Sequence, residues 1–307
     1  LSSFGHSGID WINSLLDNHP EILIIPSLSF FRKFEYIKSI NKNYENLNEQ
    51  TKIEIFCKHL FKQSKKKSLR YKFKNFKKKK FINNIYKNFK LVESQKFEIK
   101  LFYAIHLYFS ELYKVKIDKI KIIVCHEHAP WNCKKYLKYF DAKLITVIRD
   151  PRASLAGSFR GYERTKVLNS GHRIEFSFSF LFHSIKNFTH FYKDKLYLIS
   201  NEKFNKDLPK EMKKLSKWLQ IKYNSSLLRQ TFLGEVWYGE TSYKSKNDLN
   251  KYVEKNYYDQ KNVKRRWLDY LNDEEIKIIE ILFRKIFRIG NYKKKFSLNF
   301  IQKISIL

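Results

Sequence analysis

The sequence predicts an α/β fold in which a central parallel sheet is flanked by helices. Three observations carry that expectation. Short apolar runs of strand type, KIIVC (Lys121–Cys125), KLITVI (Lys143–Ile148) and LYLIS (Leu196–Ser200), recur in the second half. Each is followed by a segment of helical pattern, and alternating strands and helices imply parallel strands with helical crossovers. The 307 residues, 43% hydrophobic and 17% aromatic, suffice to bury a full core and exclude a disordered chain. With no internal repeat and no linker, residues 1–307 read as a single domain. Residues from about 28 to 118 form a mostly helical, basic insertion within it.

The elements follow in order. A turn, Gly5-His6-Ser7-Gly8, precedes a helix whose Trp11, Ile12, Leu15 and Leu16 share one face. The chain has only eight glycines, so two in its first eight positions mark a backbone demand. Ser7 is the expected N-cap, and Gly8 lets another backbone or ligand approach the first turn. A turn feeding a helix N-terminus offers N–H groups and the positive end of the dipole to an anion, and His6 adds a donor. An ordinary capped helix is the alternative. His19-Pro20 ends this helix, and Glu21–Ile25 is extended.

Two helical stripes follow, Ile53-Phe56-Cys57-Leu60-Phe61 and Phe102-Ile105-Phe109-Leu112. Between them lies KKKSLRYKFKNFKKKKF (Lys65–Phe81), either a polyanion-binding face or a solvated segment with aromatics packed inward. Trp131–Tyr139 is expected to be helical. After Lys143–Ile148 comes Arg149-Asp150-Pro151, with Asp150 suited to the N-cap and Pro151 to the first helical turn. Long helices are expected over 174–192 and Leu208–Leu219. Ligands of such sheets sit at the carboxyl ends of the strands, which would gather the Gly5–Gly8 turn, His126–His128 and Arg149 on one edge.

The formal charge of +32 favours anionic partners, although the Lys, Asn, Ile, Phe and Tyr enrichment runs through every segment and so also fits a global compositional bias. No apolar run approaches the ~20 residues of a membrane span. Cys57, Cys125 and Cys133 have no standard metal spacing, and so sparse and odd a count fits a reducing compartment. A cytoplasmic location is expected, with membrane association not indicated. The first residue is Leu, so an upstream anchor stays open.

Several segments together resemble the sulfotransferases that use 3′-phosphoadenosine-5′-phosphosulfate (PAPS). FGHSGIDWINSLLDNHPEI (Phe4–Ile22) is similar to their 5′-phosphosulfate loop, a basic residue-Ser-Gly-Thr-Thr pattern entering a helix that ends Leu-Leu-Asp-x-His-Pro. HEHAP (His126–Pro130) and KLITVIRDPRASLAGSF (Lys143–Phe159) resemble the strand, Arg-Asp-Pro and Ser-bearing helix of the 3′-phosphate motif. LYLISNEKF (Leu196–Phe204), TFLGEVWYGETS (Thr231–Ser242) and RRWLDYLNDEEIKIIE (Arg265–Glu280) match further segments in the family's order. The likeness spans most of the chain outside about 30–115.

The resemblance implies a P-loop-NTPase-like sulfotransferase fold and a sulfuryl transfer from PAPS to a hydroxyl or amine, leaving PAP. The acceptor would be a glycan, lipid or small alcohol, and neither a metal nor nucleic acid is implied. On the donor side it implies Gly5, His6, Ser7, Gly8, Ile9, Asp10 and Trp11, then Arg149, Ser158 and Asn201, with Lys264 and Arg265 as a second cation for the 3′-phosphate. His6 stands where the family has Lys or Arg; imidazole titrates at ~6.5 against ~10.4 for Lys, and a bound dianion would favour its protonated form. Asp10 stands where a Thr meets phosphate, and it could pair with His6 one turn away or simply favour the helix N-terminus. Ile9 replaces a second Thr. Trp11 would stack on adenine or pack in the core. The family's Ser falls at Gly157, leaving Ser158, or Ser154 a turn earlier. His128 matches the family's base, with Glu127 as its competitor. A degenerate nucleotide-binding homologue, or a polyanion- or nucleic-acid-binding protein using Lys65–Lys80, is the alternative. An ordinary Walker-type ATPase is not expected, because position 9 is Ile where that motif needs Lys.

Overall fold

A computed structural model describes residues 1–3, 7–25, 28–64, 77–94, 96–127, 132–165, 195–232, 234–236 and 267–296. Strand β1 is Ser2–Ser3, and helix α1 is Ile9–Leu16. β2 (Ile22–Ile24) leads to the helices α2 (Phe30–Ile40), α3 (Glu49–Ser64), α4 (Lys78–Leu91) and α5 (Phe97–Leu112). β3 (Ile122–Val124), α6 (Cys133–Tyr139), β4 (Leu144–Ile148), α7 (Pro151–Thr165) and β5 (Leu196–Ser200) follow. Then come α8 (Asn201–Lys206), α9 (Leu208–Leu219), the hairpin strands β6 (Thr231–Phe232) and β7 (Glu235–Val236), α10 (Asp273–Leu282) and α11 (Arg284–Gly290). The helix expected over 174–192 lies outside the described residues.

The protein is mostly helical, with small parallel sheets in place of one broad ladder. β1, β4 and β5 form a three-stranded parallel sheet in the order β1-β4-β5, and β2 pairs with β3 in a second. A single parallel bridge, Ser2 to Glu127, joins them. The Leu1 N–H donates to the Cys125 carbonyl at 2.8 Å and the Glu127 N–H to the Leu1 carbonyl at 2.9 Å. Across that bridge the spatial order is β2-β3-β1-β4-β5. The ladder is interrupted because β1 has only two residues to share between β3 and β4. The facing edges of β3 and β4 line a cavity of about 990 Å³ that also touches both faces of the sheet, through Phe102 and Tyr136 on one side and Leu219 on the other.

Both helical stripes turn to the core, with Leu60 and Leu112 half-buried. Ile53, Phe56 and Cys57 are fully covered, and Phe102, Ile105 and Phe109 are nearly so, in one aromatic-rich cluster with α2 and α4. A second cluster sandwiches α1 and α9 on the sheet through Ile12, Leu15, Leu16, Val147, Ile199 and Leu215. A third packs α7 against α10 and α11 through Leu155, Ala156, Ile276 and Phe287. Among the described residues no helix is long and apolar enough to cross a membrane.

Candidate functional site

The carboxyl ends of β1, β4 and β5 lie on one edge. Ser3 is level with Val147, and Ile148 with Ser200, so the chain leaves the sheet towards Ser7, Arg149 and Asn201 side by side. Adjacent strands are ~4.8 Å apart, which keeps the three exits in one neighbourhood. Asn201 Nδ2 donates to the Ser7 carbonyl at 2.9 Å, tying the exit of β5 to the turn before α1.

The cap of α1 differs from expectation. Gly8 is the N-cap, in the left-handed region at φ +93°, and Ser7 is the residue before it. The demand on glycine is specific: an added Cβ would sit 2.1 Å from Asn201 Nδ2. Asn201, packed over the turn, is what crowds this position. Ile9 and Trp11 are buried in the second cluster, so Trp11 is a core residue. Gly5, His6, His128, Lys264 and Arg265 lie outside the described residues, as does most of the Lys65–Lys80 run.

Arg149 is 6% exposed at the end of β4. The start of α7 beside it is fixed from several directions. Asp150 is the N-cap, its Oδ1 accepting the Arg152 N–H at 2.9 Å, and Pro151 is the first helical residue, both as expected. The Asp150 N–H donates to Glu202 Oε1 at 2.9 Å, while Tyr292 OH donates to Glu202 Oε2 at 2.8 Å. Arg152 turns away from the sheet edge. Its Nη2 donates to Asp150 Oδ2 at 2.7 Å, its Nη1 to Glu280 Oε1 at 2.6 Å, and its guanidinium lies 4.1 Å from the Trp267 ring centroid. Of the two arginines, Arg152 therefore braces the helix, and Arg149 is the one at the strand end. Ser154 and Ser158, one turn apart on α7, are both buried. The Ser154 hydroxyl has no hydrogen-bond partner among the described residues.

Beyond β3, successive residues of the extended chain diverge. His126 meets α1, with Nδ1 3.6 Å from Asp10 Oδ1. The charge of Glu127 is felt instead by Lys33 on α2 and by Cys133 and Tyr136 on α6. Burial pulls the Lys33 ammonium down to about 8, against the opposing pull of Glu127. It pushes the Cys125 thiol up to about 12 and Cys133 to about 11, leaving both unreactive. Among the described residues no group of three His, Cys, Asp or Glu could hold a metal ion.

The helix-end residues are structural. His19 Nδ1 accepts the Glu21 N–H at 3.1 Å, so its Nε2 donates to the Lys222 carbonyl at 2.9 Å. Asp17 Oδ2 accepts the Gly234 N–H at 2.9 Å, docking the β6–β7 turn against α1.

No family model matches the sequence, and neither does any curated protein. The fold does have relatives among solved structures. A sulfotransferase domain from the curacin biosynthetic pathway superposes over 95% of this chain and 96% of its own, with a TM-score of 0.54 at 16% identity. The fold is a sulfotransferase fold. Two looser likenesses are a sulfotransferase domain of the Synechococcus PCC 7002 olefin synthase (TM-score 0.44, 11% identity, 99% of this chain and 90% of that one) and the sulfotransferase STF9 of Mycobacterium avium (0.47, 10%, 97% and 78%). The assignment of the sulfotransferase fold rests on the first.

Sequence reasoning missed β1, His126 as the neighbour of Asp10, Lys33 beside Glu127, and the Glu202 and Glu280 braces. The two residues of β1 are too few to show alternation. Glu202 did carry a signal, an acid in the first turn directly after a strand.

Proposed function

We propose that this protein is a PAPS-dependent sulfotransferase acting on a hydroxyl or amine of a carbohydrate, lipid or small alcohol, with PAP as the product. The observation that carries the reading is the shared edge: the start of α1, Arg149 and Asn201 leave three neighbouring parallel strands, and the Asn201–Ser7 bond ties two of them together. The residues suit the donor. A guanidinium fork at 149, the buried Ser154 hydroxyl without a partner among the described residues and the N-terminus of an eight-residue helix are all anion donors.

In this reading the N–H groups of residues 7–10 and His6 hold the 5′-phosphosulfate end. Arg149, with Ser154 or Ser158 and with Lys264 and Arg265, holds the 3′-phosphate. The bound donor supplies an activated sulfuryl group, and the protein contributes positioning and charge stabilisation. The acceptor oxygen forms its bond to sulfur as the bond to the bridging phosphate oxygen breaks. His128 takes the acceptor's proton, and Glu127 is the second candidate for that role. Residues 1–307 form one domain, and the helices from about 28 to 118 shape the acceptor side.

Incubation with sulfur-labelled PAPS and a panel of glycans, lipids and small alcohols tests the proposal. Label should move to one acceptor class in the wild type and fail to move in Arg149→Ala, and His128→Asn should lower kcat with little change in PAP affinity. Absence of both transfer and PAP binding in the wild type would overturn it.

A further inference from the structure

Asp10 poses an electrostatic problem for any anion at the start of α1. It is the second residue of the helix and is the acid of its first turn. A carboxylate there takes the favourable end of the dipole for itself and repels an incoming phosphate or sulfate. The resemblance puts a hydroxyl residue at this position.

The structure brings an imidazole to this carboxylate from elsewhere in the chain. His126 is fully buried, and its Nδ1 is 3.6 Å from Asp10 Oδ1. Its backbone cannot drift. Ser29 Oγ donates to the His126 carbonyl at 2.9 Å, and the residues on either side are hydrogen-bonded to Leu1. Among the described residues, Glu127 next in the chain acts on Lys33 of α2.

We propose that Asp10 and His126 form a charge-compensating pair that sets donor affinity. The imidazolium of His126 holds the Asp10 carboxylate and offsets its charge, so the helix N-terminus stays able to receive the donor's anionic group. Both are positioning residues. The inference rests on the donor-binding reading above and adds a specific dependence to it.

A double-mutant cycle on PAP affinity, measured by titration calorimetry, tests the pair. His126→Gln should weaken PAP binding by about tenfold or more, the loss of one close compensating charge. Asp10→Thr should bind PAP at least as tightly as the wild type, and this variant lies in a partly exposed position that folding tolerates. In the double variant the His126→Gln penalty should vanish, because no carboxylate remains to be offset. A penalty of equal size in both backgrounds would overturn the pairing and leave the donor reading standing. Failure of PAP to bind the wild type and Asp10→Thr alike would overturn the donor reading and the pair with it.

Discussion

Asn201 reaches across 194 residues of sequence to bond the carbonyl of Ser7, and its amide fills the space where a side chain at position 8 would go. The exit of β5 thereby shapes the entrance of α1. Gly8 is needed twice over, for its φ of +93° and for that contact.

The two demands on Gly8 can be separated. Gly8→Ala should destabilise the fold by about 2 kcal/mol or more, since it adds left-handed strain to a steric clash. Gly8→Ala combined with Asn201→Ala should recover the steric part and keep the conformational part, about 1 kcal/mol. Urea denaturation of the four proteins reads this directly. A Gly8→Ala penalty of the same size with and without Asn201→Ala would contradict the contact.

Arg149 and Arg152 should behave oppositely. Arg152→Met leaves Asp150 and Glu280 buried without their shared cation, and loss of one member of such a network costs about 3–5 kcal/mol. Arg149→Ala should abolish PAP binding, so that PAP no longer raises the melting temperature of the variant. A thermal melt with and without PAP distinguishes them. The reverse pattern would mean that the brace and the ligand contact had been exchanged.

His106 sits buried in α5, its Nδ1 2.7 Å from the Phe102 carbonyl, and burial pulls its titration from 6.5 down to about 4. Above pH ~6.5 the imidazole is neutral in both folded and unfolded chains, and its contribution to stability is fully present. As pH falls below that value the unfolded chain takes up the proton first, so stability is lost down to about 4. The full loss is at most about 3 kcal/mol. His106→Gln should flatten this part of the stability-versus-pH curve between pH ~6.5 and ~4.5. Parallel curves for the two proteins would show that the ring does not titrate differently on folding.

Much of this architecture was legible because it depends on local pattern. β4 and β5 fall within the runs KLITVI and LYLIS, and α9 coincides with Leu208–Leu219, because buried strands and amphipathic helices announce themselves by period. Asp150 and Pro151 start α7 where cap chemistry puts them. What escaped was non-local. The N-cap of α1 is Gly8 and not Ser7, Asn201 meets the Ser7 carbonyl beside it, and nothing within the turn reveals a partner 194 residues away. His126 comes to Asp10 for a similar reason: a strand end and a helix start meet only once β1 has bridged β3 and β4. Trp11 could stack or pack by its residue type alone; in the structure it packs in the α1–sheet cluster.

The most direct measurement is the structure of the protein with PAP bound, solved crystallographically. The 3′-phosphate should lie within hydrogen-bond distance of the Arg149 guanidinium, and the 5′-phosphate within the same distance of the N–H groups that begin α1. A nucleotide that touches only one of these ends, or lies on another face of the sheet, would contradict the shared grip on which the assignment depends.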